Sequence, residues 1–171
     1  SAMYRSKAKG RNRAEFYTRE MTFLANERIT LEHELRRALE RGELSLHYQP
    51  KISLLTQKLV GAEALIRWQH PLFGNIPPDR FIPLAEENGL ILPLGEWVLA
   101  EAVVQMRQWQ DSHEAFGSLS VNLAGEQLKE DRVRSHIQQL LRGSGLEPQR
   151  LQLEITESFI MNRTEQALQI L

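Results

Sequence analysis

The sequence predicts an α/β fold, an eight-stranded (β/α)8 barrel of the TIM-like kind, and three observations carry that expectation. Four short runs of strand-like alternation are separated by long stretches with helical periodicity. No Asn-Gly or similar turn signal joins one strand run directly to the next, so crossover connections and a parallel sheet are indicated. Polar residues gather toward the C-terminal end of each strand run, where parallel barrels keep their active sites.

The elements follow in order. A basic run from Arg5 to Arg13 lies in the opening SAMYRSKAKGRNRAEFY, after which the composition changes. Over Arg19 to Arg41, the residues Leu31, Leu35, Ala38 and Leu39 recur at helical spacing, and Gly42 is placed to end the helix. The strand runs are LSLHYQP from Leu44, KLVGAEALIRW from Lys58, SLSVNLA from Ser118 and RLQLEITES from Arg150. Between the second and third, Leu94, Val98, Ala102, Met106 and Trp109 mark a helix; between the third and fourth, Val133, Ile137, Leu140 and Leu141 mark another, closed by Gly143 or Gly145 and Pro148. A further helix begins near Thr164.

Read at period two, one face of the strands is apolar: Leu44, Leu46 and Tyr48; Val60, Ala62, Ala64 and Ile66; Leu119, Val121 and Leu123; Leu151, Leu153 and Ile155. The other face ends in Gln49, in Glu63 and Arg67, in Asn122, and in Glu154 with Thr156. An antiparallel sheet with its polar face in water accounts for the same alternation, whereas the helical separators favour the barrel. Glu63, Asn122 and Glu154 offer two anionic oxygens and one carbonyl oxygen, a set suited to a hard divalent cation. Arg67 carries the planar fork that matches a phosphate. A strand glutamate is as often solvated or ion-paired, and a Glu63–Arg67 contact accounts for that pair equally well.

Composition narrows the chemistry. With 42% hydrophobic and 25% charged residues and a formal net charge of -1, the 171-residue chain reads as globular rather than disordered or broadly nucleic-acid binding. It has no cysteine, so any metal rests on oxygen or imidazole ligands, which favours Mg²⁺ or Mn²⁺. No apolar run approaches the roughly 20 residues of a membrane span, and a cytoplasmic location is expected. The five histidines fall at unrelated phases and read as structural, and Trp97 and Trp109 read as core. Glu86 and Glu87 are adjacent on a helix and diverge, so they are not assigned to the site. The basic run reads as a solvated segment before it reads as a nucleic-acid or membrane contact.

GAEALIRW with the preceding YQP, then FIPLAEENGLI, SVNLAGEQL and LEITES, resembles the EAL-domain family of bacterial cyclic di-GMP phosphodiesterases, in order from about Leu31 onward. AMYRSKAKGRNRAEFY resembles the end of a GGDEF diguanylate cyclase domain. The resemblance implies residues 1–18 as a GGDEF tail, 19–29 as a linker helix and 30–171 as EAL domain. It implies hydrolysis of cyclic di-GMP to linear pGpG with two Mg²⁺ or Mn²⁺ ions, inhibited by Ca²⁺. Glu63, Asn122 and Glu154 match metal ligands; Gln49, Leu65 and Arg67 match substrate contacts, with Arg67 on a phosphate; Glu157 matches a glutamate that holds the loop bearing later ligands. The family's following Asp-Asp pair, lysine, glutamate and glutamine have no counterpart before Leu171. Only the first half of the barrel is therefore expected, as a truncated piece with an artificial start at Ser1, without turnover of its own, and open to homodimerisation along exposed half-barrel edges. The partners expected are cyclic di-GMP and an upstream GGDEF domain in cis, the whole protein being membrane-anchored, if at all, through other regions. A degenerate EAL module that binds cyclic di-GMP, or a protein partner, without cleavage is the alternative.

Overall fold

Helix α1 (Arg19–Arg41) opens the computed structural model, which describes residues 19–112, 117–129 and 131–155. Leu31, Leu35 and Ala38 of α1 are buried at the spacing read from the sequence. Gly42, at φ 66°, ends the helix in the left-handed conformation that glycine adopts without a steric penalty.

The chain then forms β1 (Leu44–Ile52), β2 (Leu59–His70), β3 (Gly74–Ile76), α2 (Pro78–Glu87), α3 (Ile91–Ser112), β4 (Ser118–Leu123), α4 (Asp131–Ser144) and β5 (Leu151–Ile155), with short 3₁₀ turns at Gln127–Lys129 and Pro148–Arg150. The described strands make one sheet in the order β1-β2-β4-β5, with β3 on the end of β2. The pairs β2–β4 and β4–β5 are parallel, as the helical separators imply.

The β1–β2 pair departs from that expectation. It is an antiparallel hairpin with Leu44 opposite Trp68 and Gln49 opposite Glu63. Its turn contains no glycine, which is why no hairpin signal is visible. Side chains and one unusual backbone conformation close it instead. Gln57 sits at φ 56°, its N–H donates to the Ser53 carbonyl at 2.8 Å, and the Ser53 N–H donates to the Lys58 carbonyl at 2.9 Å. Ser53 Oγ accepts from the Thr56 N–H and the Gln57 amide donates to the Leu54 carbonyl, so two side chains satisfy a turn that sequence rules assign to Asn or Gly. β3 is also absent from the sequence reading, being three residues long and held antiparallel to the end of β2.

Two cores flank the sheet. One gathers Leu31, Leu35 and Ala38 of α1, Trp68 and Ile76, and Phe81, Leu84 and Ala85 of α2. Trp68 meets Phe81 edge to face at 5.5 Å, and its indole N–H donates to Glu43 at 3.0 Å. The other core presses the apolar face of β2 and β4, from Ala62, Ala64, Leu119, Val121 and Leu123, against Leu99, Ala102, Val103 and Met106 of α3. Burial follows the period-two phase, except that Val60 is 46% exposed because it lies before the first β2–β4 pair, and Leu153 is 41% exposed.

At the end of β2, buried His70 binds back to α1. The Leu72 and Phe73 N–H groups both donate to His70 Nδ1, so the ring proton belongs on Nε2, facing Glu34 at 3.4 Å. The His70 hydrogen bond holds the Glu34 carboxyl below its ordinary value; burial opposes it, and Arg41 at 2.9 Å adds to the lowering.

Two outcomes follow. Trp68→Ala lowers unfolding free energy by about 3–5 kcal/mol in a denaturant titration. Because the folded-state pKa of Glu34 is depressed, its stabilisation is present above the unfolded-state value and is lost as pH falls through the folded one. Glu34→Gln therefore lowers the melting temperature near neutral pH, and the gap from wild type closes as pH is taken below the carboxylate range.

Candidate functional site

The face of the sheet turned away from α3 carries Gln49, Glu63, Arg67, Asn122 and Glu154, the polar strand residues singled out from the sequence that the structure describes. Gln49 lies opposite Glu63 across the hairpin, Glu63 opposite Ser120 across the parallel β2–β4 pair, and Asn122 opposite Glu154 across β4–β5. These registers bring residues up to 105 positions apart in sequence, Gln49 and Glu154, onto one face of four adjacent strands.

Direct contacts tie this row together. The Asn122 amide nitrogen donates to Glu63 Oε1 at 2.7 Å. Two donors of the set are thus within one cation's coordination sphere of each other, and the amide leaves its carbonyl oxygen for a ligand. On the neighbouring strand, the Lys51 ammonium donates to Glu154 Oε1 at 2.5 Å and to Ser120 Oγ at 2.6 Å. Ser120 is fully buried and donates to the Gln152 side-chain amide oxygen, Oε1, at 3.0 Å. The hydrogen bond from Lys51, then that from Ser120, holds the Glu154 carboxyl below its ordinary value. Glu154 is thereby kept as an anion, the form a metal ligand needs.

Arg67 does not pair with Glu63 among the described residues. Its guanidinium donates to the Ile66 carbonyl at 2.8 Å and lines, with Leu65 and Asn122, one side of a cleft of about 240 Å³ whose other walls include Ile82 of α2 and Leu94 and Val98 of α3. The contact that offered the plain structural explanation for the Glu63 and Arg67 pair is therefore absent. Glu86 of α2 also faces this cleft, although adjacency on a helix had argued against it, whereas Glu87 is taken up in an ion pair with Arg28.

Gln127 is a second residue that sequence reading passed over. It is 2% exposed, its Oε1 accepts the Ala124 N–H at 2.9 Å, and it braces the turn that follows Asn122. Its amide packs where a side chain on Gly95 of α3 would stand. Lys51 and Ser120 were legible in principle, since they share the phase of Gln49 and Asn122. The search for carboxylates passed over them.

Thr156, Glu157, the basic run Arg5–Arg13 and the helix near Thr164 lie outside the described residues. Among the described residues no three His, Asp or Glu side chains converge, so the candidate set is two carboxylates and one amide. No described helix is long and apolar enough to cross a membrane.

Comparisons with known proteins agree with this geometry. The sequence model of the EAL domain family matches residues 32–171. The bifunctional diguanylate cyclase/cyclic di-GMP phosphodiesterase MucR of Pseudomonas aeruginosa is 44% identical over 171 residues, all of this chain and 25% of that protein. The cyclic di-GMP phosphodiesterase PdeR of Escherichia coli is 38% identical, again over all of this chain and 26% of that protein. The chain thus spans about a quarter of the length of these curated relatives. Among solved structures, the PaMucR phosphodiesterase in complex with c-di-GMP superposes with a TM-score of 0.79 at 46% identity, covering 83% of this chain and 57% of that one. The EAL enzyme Bd1971 with cAMP and cyclic di-GMP bound also gives 0.79, at 29% identity, over 86% of this chain and 41% of that one.

These extents correct the expectation of an N-terminal half-domain, and with it a fold class limited to the first half of a barrel. Similarity to EAL domains fills residues 32–171, the likeness to solved EAL structures takes in more than four-fifths of this chain, and 57% of the PaMucR chain is spanned rather than half. The chain is an EAL-type α/β domain resembling a TIM-like barrel. The half-barrel expectation rested on four strand runs and on family residues without a counterpart before Leu171, and β3, at three residues, is too short to show the alternation that marks a strand.

A Cβ at position 95 would collide with the buried Gln127 amide, and moving that amide disturbs the hydrogen bond it accepts from the Ala124 N–H. Gly95→Ala is expected to lower stability by about 1–3 kcal/mol in denaturant titration, with hydrogen-exchange protection lost first at Ala124.

Proposed function

The chain belongs to the EAL domain family, and on that premise we propose that the protein containing it hydrolyses one phosphodiester bond of cyclic di-GMP to give linear pGpG, controlling the level of a bacterial second messenger. The observation that carries this reading is the Glu63–Asn122 contact beside a cleft lined by Arg67, in register with Glu154. The relatives named as cyclic di-GMP phosphodiesterases, and the PaMucR structure in complex with c-di-GMP, support the choice of substrate.

Glu63, Asn122 and Glu154 would hold the Mg²⁺ or Mn²⁺ of a two-metal site. The donor set fits: hard oxygens, one pair already in contact, and one carboxylate kept ionised. Metal bound there supplies polarisation of the phosphoryl oxygens and a hydroxide nucleophile near neutral pH. The remaining roles belong to this chain's side chains. Arg67 presents a bidentate fork to a non-bridging phosphate oxygen pair. Gln49 hydrogen-bonds the dinucleotide from the rim of β1, Leu65 packs against it at the cleft, and Glu157 holds the loop that brings further ligands.

The same reading includes an upstream GGDEF domain in cis, ending near residue 18 and joined through residues 19–29. The match of all 171 residues to a bifunctional cyclase/phosphodiesterase supports it. β1 and β5 are the outer strands of the described sheet, and a homodimer paired along one of them belongs to the proposal. A cytoplasmic location for the domain completes it.

The whole protein, incubated with cyclic di-GMP and Mg²⁺, yields pGpG by liquid chromatography, and Glu63→Ala lowers kcat by roughly 100-fold or more. Arg67→Lys raises KM by about tenfold, the loss of one charge-assisted hydrogen bond. Tight binding of cyclic di-GMP with no pGpG formed would make the protein a receptor and sink the enzymatic reading.

A further inference from the structure

Lys51 is a strand cation on the site face whose position is fixed by a fully buried group, Ser120. Its ammonium spans from β1, across β2, to Ser120 on β4 and Glu154 on β5. Lys51 pairs with Gly61 in the hairpin, and Gly61 pairs with Ser118 on the other side. Any Cβ at 61 would run into the Ser118 carbonyl oxygen, so the position between Lys51 and β4 carries no side chain.

The hydrogen bonds have a fixed direction. An ammonium donates only, so Ser120 Oγ accepts from Lys51, and its own proton is left for the Gln152 side-chain amide oxygen at 3.0 Å or for the Glu154 carboxylate. Ser120 has no exposure, and it pins the ammonium at the level of Ser120 and Gln152. Glu154 lies two residues further along β5, level with Asn122. Lys51 therefore reaches Glu154 from beneath and takes one oxygen, Oε1. A carboxylate accepts at both oxygens, which leaves Oε2 for the rim side, where Asn122 and Glu63 meet.

We infer that Lys51, held by Ser120, is a positioning residue that orients the Glu154 carboxylate for a divalent cation. This rests on the metal-site reading above. The opposite role, an ammonium that competes with the cation for the same carboxylate, predicts the reverse change on its removal. Groups that orient a ligand from behind typically set metal affinity within one to two orders of magnitude.

Mn²⁺ binding to the whole protein is measured by titration calorimetry, alongside a metal-free crystal structure of each variant. In Lys51→Met the Mn²⁺ dissociation constant rises roughly 10- to 100-fold and the Glu154 carboxylate leaves Ser120; Lys51→Arg, which keeps the charge, recovers part of the affinity. Ser120→Ala, which keeps the lysine and serves if Lys51→Met does not fold, weakens binding to an intermediate degree. Unchanged or tighter Mn²⁺ binding in Lys51→Met or Ser120→Ala overturns the inference, as does a Glu154 carboxylate that holds its place without the ammonium. Failure of the metal-site reading looks different: Glu63→Ala would then bind Mn²⁺ as tightly as wild type while the Lys51–Glu154 contact persists in its crystal structure.

Discussion

The close approach of β2 and β4 at two glycines is the constraint on which the site depends. A side chain at Gly61 would strike the Ser118 carbonyl, and a side chain at Gly117 would strike the Val60 carbonyl, so each strand requires a bare position where the other passes. This reciprocal contact starts the parallel pairing that places Glu63 level with Ser120 and, two residues on, lets Asn122 reach Glu63. A shift of one residue would turn every polar group of β4 into the core against α3 and every apolar one toward the site. The glycines thus set a register, and the register makes the constellation.

Charge on that face is managed by pairing within the sheet. Glu63 is engaged by a neutral amide, while Glu154 is engaged by an ammonium, so the two carboxylates face different partners. Lys51 is only partly exposed and its anchor, Ser120, is wholly buried with both its donor and acceptor capacity in use. A buried hydroxyl in that state is costly to displace, because leaving either hydrogen bond unmade costs the desolvation of a polar group. The rim residues are therefore held from below by a polar layer, while the helices grip the sheet from its other side.

Much of this was legible because period-two alternation reports directly which face of a strand is covered. Ala62, Ala64, Leu119, Val121 and Leu123 are buried as read, and Glu63, Asn122 and Glu154 share the opposite face. The helical spacing of Leu31, Leu35 and Ala38 likewise placed α1. The direction of β1 was not legible. Alternation is the same for a strand read in either direction, and the turn that reverses the chain is closed by Ser53 and Gln57 rather than by glycine. Gln127 escaped notice because a buried glutamine next to a glycine on another helix is a relation between distant residues, with no local pattern.

By itself the amino-acid sequence determined the apolar and polar faces of each strand, the oxygen-rich character of the site and the family motifs, since all of these are written in local order and spacing. Tertiary structure alone decided that β1 runs antiparallel to β2, that Arg67 turns from Glu63 to line a cleft, and that Lys51 of β1 reaches Glu154 of β5. The reason is that strand direction, register and cross-strand reach are set by which backbones can approach one another. A one-dimensional pattern does not encode those distances.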